Sequence, residues 1–159
     1  MCVGHKSAVH YRYLGKEDPV PANKKPLTEF CVVHGQACAI LLPQVIRYNG
    51  IQSKKLSVWP KVERYCADEK YAKICRTLGL TVPSKEAAKG ELADAVLNLG
   101  KDIGIERIFS SVIPDEKLDE NKLEVLGYLA YEDPCTPAFL REPLVADMVQ
   151  ILRGAYKRN

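Results

Sequence analysis

Apolar residues along this chain recur at helical intervals from about Leu27 onward and nowhere settle into strict alternation. Ala37, Cys38, Ile40, Leu41, Leu42, Val45 and Ile46 make residues 34–48 apolar on most sides, which predicts a central buried helix. Pro43 lies inside it and should kink or loosen it. Asn49-Gly50 ends the helix, and residues 51–59 read as loop. Pro60 suits a first helical turn, and Val62, Tyr65, Cys66, Ile74 and Leu78 continue as a stripe that stops at Gly79. Ser84 is placed to cap the next helix, with core positions Leu92, Val96, Leu99 and Ile103. Residues 105–112 read as a short helix or turn. Asp119 should cap a helix carrying Leu123, Leu126 and Leu129. The last helix starts near Glu142-Pro143 and should bury Leu144, Met148, Ile151, Leu152 and Ala155.

About five helices on short connections predict an all-α helical bundle. There is no hairpin signal, no internal repeat and no Gly-rich phosphate loop, so the pattern holds no dinucleotide-binding fingerprint. Residues 1–26 show neither periodicity. Pro19, Pro21 and Pro26 with Asn23-Lys24-Lys25 predict an irregular or disordered leader, and residues 27–159 the helical domain.

Composition narrows the class. A chain of 159 residues, 47% hydrophobic, can bury a substantial core as one domain. No apolar run reaches the roughly 18 residues of a membrane span, and no apolar leader suggests secretion. Six cysteines without a Cys-x-x-Cys pair suggest reduced thiols in a cytoplasmic protein. The formal charge of +3 is carried entirely by residues 1–25, and the remainder balances. A nucleic-acid binder would carry its excess on the folded part, so neither nucleic acid nor membrane is expected as a partner.

Candidate chemistry is sparse. His34-Gly35 opens the apolar helix. Cys31, His34 and Cys38 would share one helical face and could chelate Zn²⁺, although small thiols packing in a core is the expected use. Asp115-Glu116 and Asp119-Glu120 are expected to cap helices and face solvent. Tyr65, Tyr71, Tyr128 and Tyr131 are expected to pack at the rim.

The run His34-Gly35-Gln36-Ala37-Cys38-Ala39-Ile40-Leu41-Leu42-Pro43, ending in Arg47-Tyr48-Asn49, resembles the iron-dependent (group III) alcohol dehydrogenases. So do Glu69-Lys70-Tyr71-Ala72-Lys73-Ile74 with Leu78-Gly79, Asp102-Ile103-Gly104-Ile105, Asp133-Pro134-Cys135-Thr136 and Arg141-Glu142-Pro143-Leu144. These pieces, in the family's order from about Leu27 to Lys157, are most similar to the alcohol dehydrogenase half of bifunctional aldehyde–alcohol dehydrogenases. Ala37 to Pro43 is nearer the lactaldehyde reductase and butanol dehydrogenase branch.

The resemblance implies an all-α C-terminal domain of the dehydroquinate synthase-like kind, paired in intact enzymes with an α/β domain that binds NAD(P). It implies Fe²⁺, sometimes Zn²⁺, held by one Asp and three His between the domains and acting as a Lewis acid on the substrate oxygen while nicotinamide exchanges hydride. His34 matches the last metal histidine. The family's other late metal histidine and a cofactor-contacting histidine lie fourteen and ten residues earlier, where Val20 and Lys24 stand here; one deleted residue would shift these to Pro21 and Lys25. His5 and His10 could be displaced equivalents if Lys16 to Pro26 is an insertion. Arg141 matches an arginine near the interdomain cleft, although Pro137, Phe139 and Leu140 replace the usual Gly, Asn and Pro.

Two functional expectations follow. The chain is a C-terminal domain or fragment of an iron-dependent alcohol dehydrogenase, from gene decay, a missed exon or a split gene. Its intact parent interconverts short-chain aldehydes and primary alcohols. Alternatively it is a non-catalytic helical module or relic that associates with a partner subunit. Either way no catalytic residue is assigned, His34 is the one metal residue, and the isolated chain is expected to bind no cofactor. A nucleotide-binding domain or homologous subunit is the expected partner. An exposed apolar patch and self-association are expected where that partner would pack.

Overall fold

A computed structural model describes residues 32, 34–52, 65–105, 108–113, 120–136, 141 and 143–156. The leader expected over 1–26 lies outside them. Among the described residues the regular elements are all helical: α1 (His34–Asn49), α2 (Ala67–Thr77), α3 (Ala88–Asp102), a 3₁₀ turn (Phe109–Ser111), α4 (Glu120–Tyr131) and α5 (Val145–Tyr156). The all-α expectation holds.

The central helix predicted from the apolar run is α1. Its Ala37, Ile40, Leu41 and Tyr48 enter a larger core with Phe109, Ile113 and apolar residues of α4 and α5. Its Ile46 enters a smaller core with Ala72 and Cys75 of α2 and Ala88, Leu92 and Ala93 of α3. One helix thus joins two half-bundles. Leu126, Met148 and Leu152 are completely buried, each contributing about 1.5–3 kcal/mol by removal from water. Gln44 donates to the Gly154 carbonyl at 2.9 Å, tying α1 to α5. Helix α1 runs on past Pro43 to Asn49, with Pro43 itself buried. Packing on both sides of the helix offsets the lost backbone donor.

Helix ends follow their local chemistry. Gly79 and Gly104 have φ of +72° and +74°. In each case the following amide reaches back, Leu80 to the Cys75 carbonyl at 2.9 Å and Ile105 to the Gly100 carbonyl at 2.8 Å. Both are Schellman ends, and only glycine adopts that backbone cheaply.

Several core assignments need correction. Helix α2 begins at Ala67, so Tyr65 and Cys66 precede it; Pro60 and Val62 lie outside the described residues. Its buried face is Ala67, Ala72 and Cys75, while Ile74 and Leu78 are exposed. Small residues win because α3 presents small residues in return, Ala88 and Ala93, and the helices close on that face. Ser84 accepts the Ala87 N–H at 3.3 Å one turn ahead of α3, whose first residue is Ala88. On α3 itself Leu92 is buried, yet Leu99 and Ile103 are 59% and 63% exposed. Leu144 is exposed and precedes α5, whereas Met148, Ile151, Leu152 and Ala155 are buried as expected.

Between α1 and the second half of α3 lies an open apolar groove of about 170 Å³, lined by Ala39, Leu42, Pro43, Val96, Leu99 and Ile103 among others. Of its lining, Leu42, Leu99 and Ile103 are exposed. No helix among the described residues is long and apolar enough to cross a membrane.

Candidate metal centre

His34 is the first residue of α1 and is exposed. One turn on, Cys38 is half-buried and places its Sγ 3.6 Å from His34 Nε2. The i to i+4 spacing stacks the two side chains on one face. Cys38 is not among the buried residues of either core. Cys31, His5, His10, Val20, Pro21, Lys24 and Lys25 lie outside the described residues.

Among the described residues no three His, Cys, Asp or Glu side chains converge as a metal-holding set. The described donors alone therefore do not make up the four-ligand iron site that the resemblance implies.

Arg141 is far in sequence but close to the other end of α1. Its guanidinium stacks 4.1 Å from the centre of the Tyr48 ring, and Nη1 donates to the Tyr48 carbonyl at 3.4 Å. That carbonyl belongs to the last turn of α1, where helix carbonyls lack partners and a cation is favoured. Tyr48 O–H in turn donates to Asp147 Oδ2 at 3.1 Å. Burial, then the Asp147 carboxylate, push the Tyr48 hydroxyl up to about 12, with Arg141 pulling the other way. Nearby, Tyr65 O–H and Asn49 Oδ1 are buried without a hydrogen-bond partner among the described residues. Sequence reasoning missed this cluster, because the partners are separated by some ninety residues or more.

The Asp133-Pro134-Cys135-Thr136 motif is a capping turn. Asp133 is buried and accepts the Cys135 N–H at 2.9 Å, and Thr136 Oγ1 donates to the Ala130 carbonyl at 2.7 Å. These residues close α4. Of the paired acids, Glu120 opens α4 and pairs with Arg153 of α5; Asp115, Glu116 and Asp119 lie outside the described residues. Tyr65 and Tyr71 are half-buried, while Tyr128 and Tyr131 are exposed.

A sequence profile described as the Fe-containing alcohol dehydrogenase family, C-terminal, matches residues 24–156. The chain belongs to this family. It is 45% identical over 128 residues to an aldehyde-alcohol dehydrogenase of Streptococcus pneumoniae serotype 4, a match covering 80% of this chain and 14% of that protein. It is 38% identical over 127 residues to aldehyde-alcohol dehydrogenase 2 of Entamoeba histolytica, covering 80% and 15%. This member of the Fe-containing alcohol dehydrogenase family therefore spans only a small share of those relatives. A solved structure titled as 1,3-propanediol oxidoreductase superposes with a TM-score of 0.69 at 22% identity, covering 98% of this chain and 31% of that one. That likeness establishes the fold: the helical bundle is the one expected for the family's C-terminal domain.

Proposed function

We propose that this chain supplies the helical half of an NAD(P)-linked alcohol dehydrogenase, and that His34 is its contribution to a metal centre completed by a nucleotide-binding domain or subunit. The reaction of the assembly is interconversion of a short-chain aldehyde and a primary alcohol in the cytoplasm. The observation that carries this reading is His34 at the exposed start of α1, inside the segment that matches the family. In the assembly the metal, Fe²⁺ or Zn²⁺, would polarise the substrate oxygen. What this chain's own residues do is hold α1 in place: two cores grip its length, and Arg141 and Asp147 secure its far end through Tyr48.

Complementation tests the proposal. The chain is co-expressed with a nucleotide-binding half of the pneumococcal relative that ends just short of the segment matching His34. Alcohol-dependent nicotinamide reduction is expected from the pair and is expected to vanish in His34→Ala. A stable pair without turnover favours the non-catalytic module instead. DNA upstream of the Met1 codon gives an independent readout: an in-frame or spliced Gly-rich segment with the remaining Asp and His supports the enzyme reading.

A further inference from the structure

We infer that the apolar groove between α1 and α3 is a docking seat for an amphipathic helix of the partner half, one that lays an uncharged apolar stripe across Leu42, Leu99 and Ile103. In naming that occupant we rely on the proposed function, because the partner is the one invoked there; the seat itself stands on the packing of α1 and α3.

Helices α1 and α3 run antiparallel. A Cβ on Gly50, just past the end of α1, would stand 2.5 Å from Lys89 Cβ at the start of α3; Arg47 pairs with Asp94; and Ala39, Leu42 and Pro43 line the groove with Leu99, Gly100 and Ile103. The groove therefore lies toward the end of the bundle that carries His34, and its α1 bank begins at Ala39, about 7.5 Å along the helix from that residue. The family match begins at residue 24, ten residues before His34, and is to the C-terminal part of the family. The pneumococcal relative carries most of its length outside the matched segment, of which this chain covers 14%. The portion of a relative that precedes the match thus arrives at the same end of the bundle as the groove. None of the groove's lining residues is polar or charged, so an apolar surface is the complement it offers. Leu99 and Ile103, one turn apart, form a protruding ridge beside the hollow, the relief into which a third helix packs. Gly100 lines the hollow, and among the described residues a Cβ there would meet only Ile105 Cβ at 3.9 Å. Glycine inside a helix weakens it, and no contact within the described chain requires this one. Its missing side chain leaves room for an incoming backbone.

The test co-expresses the tagged 159-residue chain with the portion of the pneumococcal relative that precedes the matched segment, and reads co-purification apart from turnover. A stoichiometric pair is expected. Leu99→Lys, Ile103→Lys and Gly100→Leu, which charge the ridge or fill the hollow, should each lower the co-purified partner by about tenfold or more. Val125→Lys, at an equally exposed apolar position on α4, should leave the pair intact, as should His34→Ala. Circular dichroism checks that every variant keeps its helices. A pair that forms through the groove but does not turn over supports the seat and counts against the enzyme reading alone. A pair indifferent to the three groove variants overturns the seat and leaves the enzyme reading standing. Absence of any pair, or a dimer of this chain alone that Leu99→Lys disperses, overturns the assignment of the groove to the partner half.

Discussion

Tyr48, in the last turn of α1, and Asp147, in the first turn of α5, share a hydrogen bond that locks the end of one helix to the start of the other. Asp147 Oδ2 accepts the Tyr48 hydroxyl at 3.1 Å and the Leu144 amide at 2.9 Å. The second contact is the returning half of a capping box, with the acid three residues into the helix. One carboxylate thus caps α5 and orients α1. The helix held at this joint carries His34 at its opposite end.

Removing the joint should destabilise the bundle measurably. Tyr48→Phe deletes a hydrogen bond to a charged acceptor and should cost about 1–2 kcal/mol, and Asp147→Ala, which also strips the cap, about 1–3 kcal/mol. Urea denaturation of the two single variants and the double variant should give a coupling energy clearly different from zero. Strict additivity would mean that the two residues act independently.

Tyr48 also makes stability depend on alkaline pH. Its folded value, raised to about 12, exceeds the ordinary tyrosine value near 10. The folded chain therefore keeps a proton that the unfolded chain gives up. The contribution is complete below about pH 10 and is lost as pH climbs from there through 12. Tyr65, Tyr71 and Tyr128 are shifted in the same direction and add to the fall. Tyr48→Phe should have a shallower decline of unfolding free energy in that window than the parent chain. Parallel declines would place the titration elsewhere.

Leu92 and Leu99 lie two turns apart on α3, on the same helical stripe, but in different surroundings. Leu92 is 5% exposed and Leu99 59%. Leu92→Ala should cost about 2–5 kcal/mol, and Leu99→Ala should change stability by no more than about 0.5 kcal/mol. Comparable losses in thermal or chemical unfolding would show that the groove between α1 and α3 is closed in solution.

Glycines divide in the same way. A Cβ on Gly127 would sit 2.5 Å from Val149 Cγ2 and 3.2 Å from the Val149 backbone nitrogen, so α4 and α5 can approach only because that Cβ is missing. A Cβ on Gly90 would meet nothing within 4 Å. Gly127→Ala should destabilise by about 1–2 kcal/mol, overpacking outweighing the gain in helix propensity, while Gly90→Ala should stabilise by about 0.5–1 kcal/mol. Melting temperatures moving in the same direction for both would contradict this packing.

Much of the fold was legible because helix boundaries are written locally. Gly79 and Gly104 end helices by their own backbone chemistry, and the periodicity of Met148, Ile151, Leu152 and Ala155 names the buried face of α5. What periodicity does not carry is how far a neighbour reaches. Leu92 and Leu99 share a stripe, yet the second core stops short of Leu99. Nor does it weigh packing distance, so the smaller Ala72 and Cys75 took the inner face from Ile74 and Leu78. At the candidate site the sequence placed His34 at the head of an apolar helix, and it is the first residue of α1. The contacts of Tyr48 with Arg141 and Asp147 join distant segments and leave no local signal.

The most direct test of the account is alcohol-dependent reduction of NAD⁺ or NADP⁺ by the purified 159-residue chain, reduced and supplied with Fe²⁺. His34 is the one proposed metal ligand among the described residues, where no three donors converge, and no turnover and no stoichiometric iron are expected in the chain alone. Sustained oxidation of ethanol by that chain, lost in His34→Ala, would contradict it.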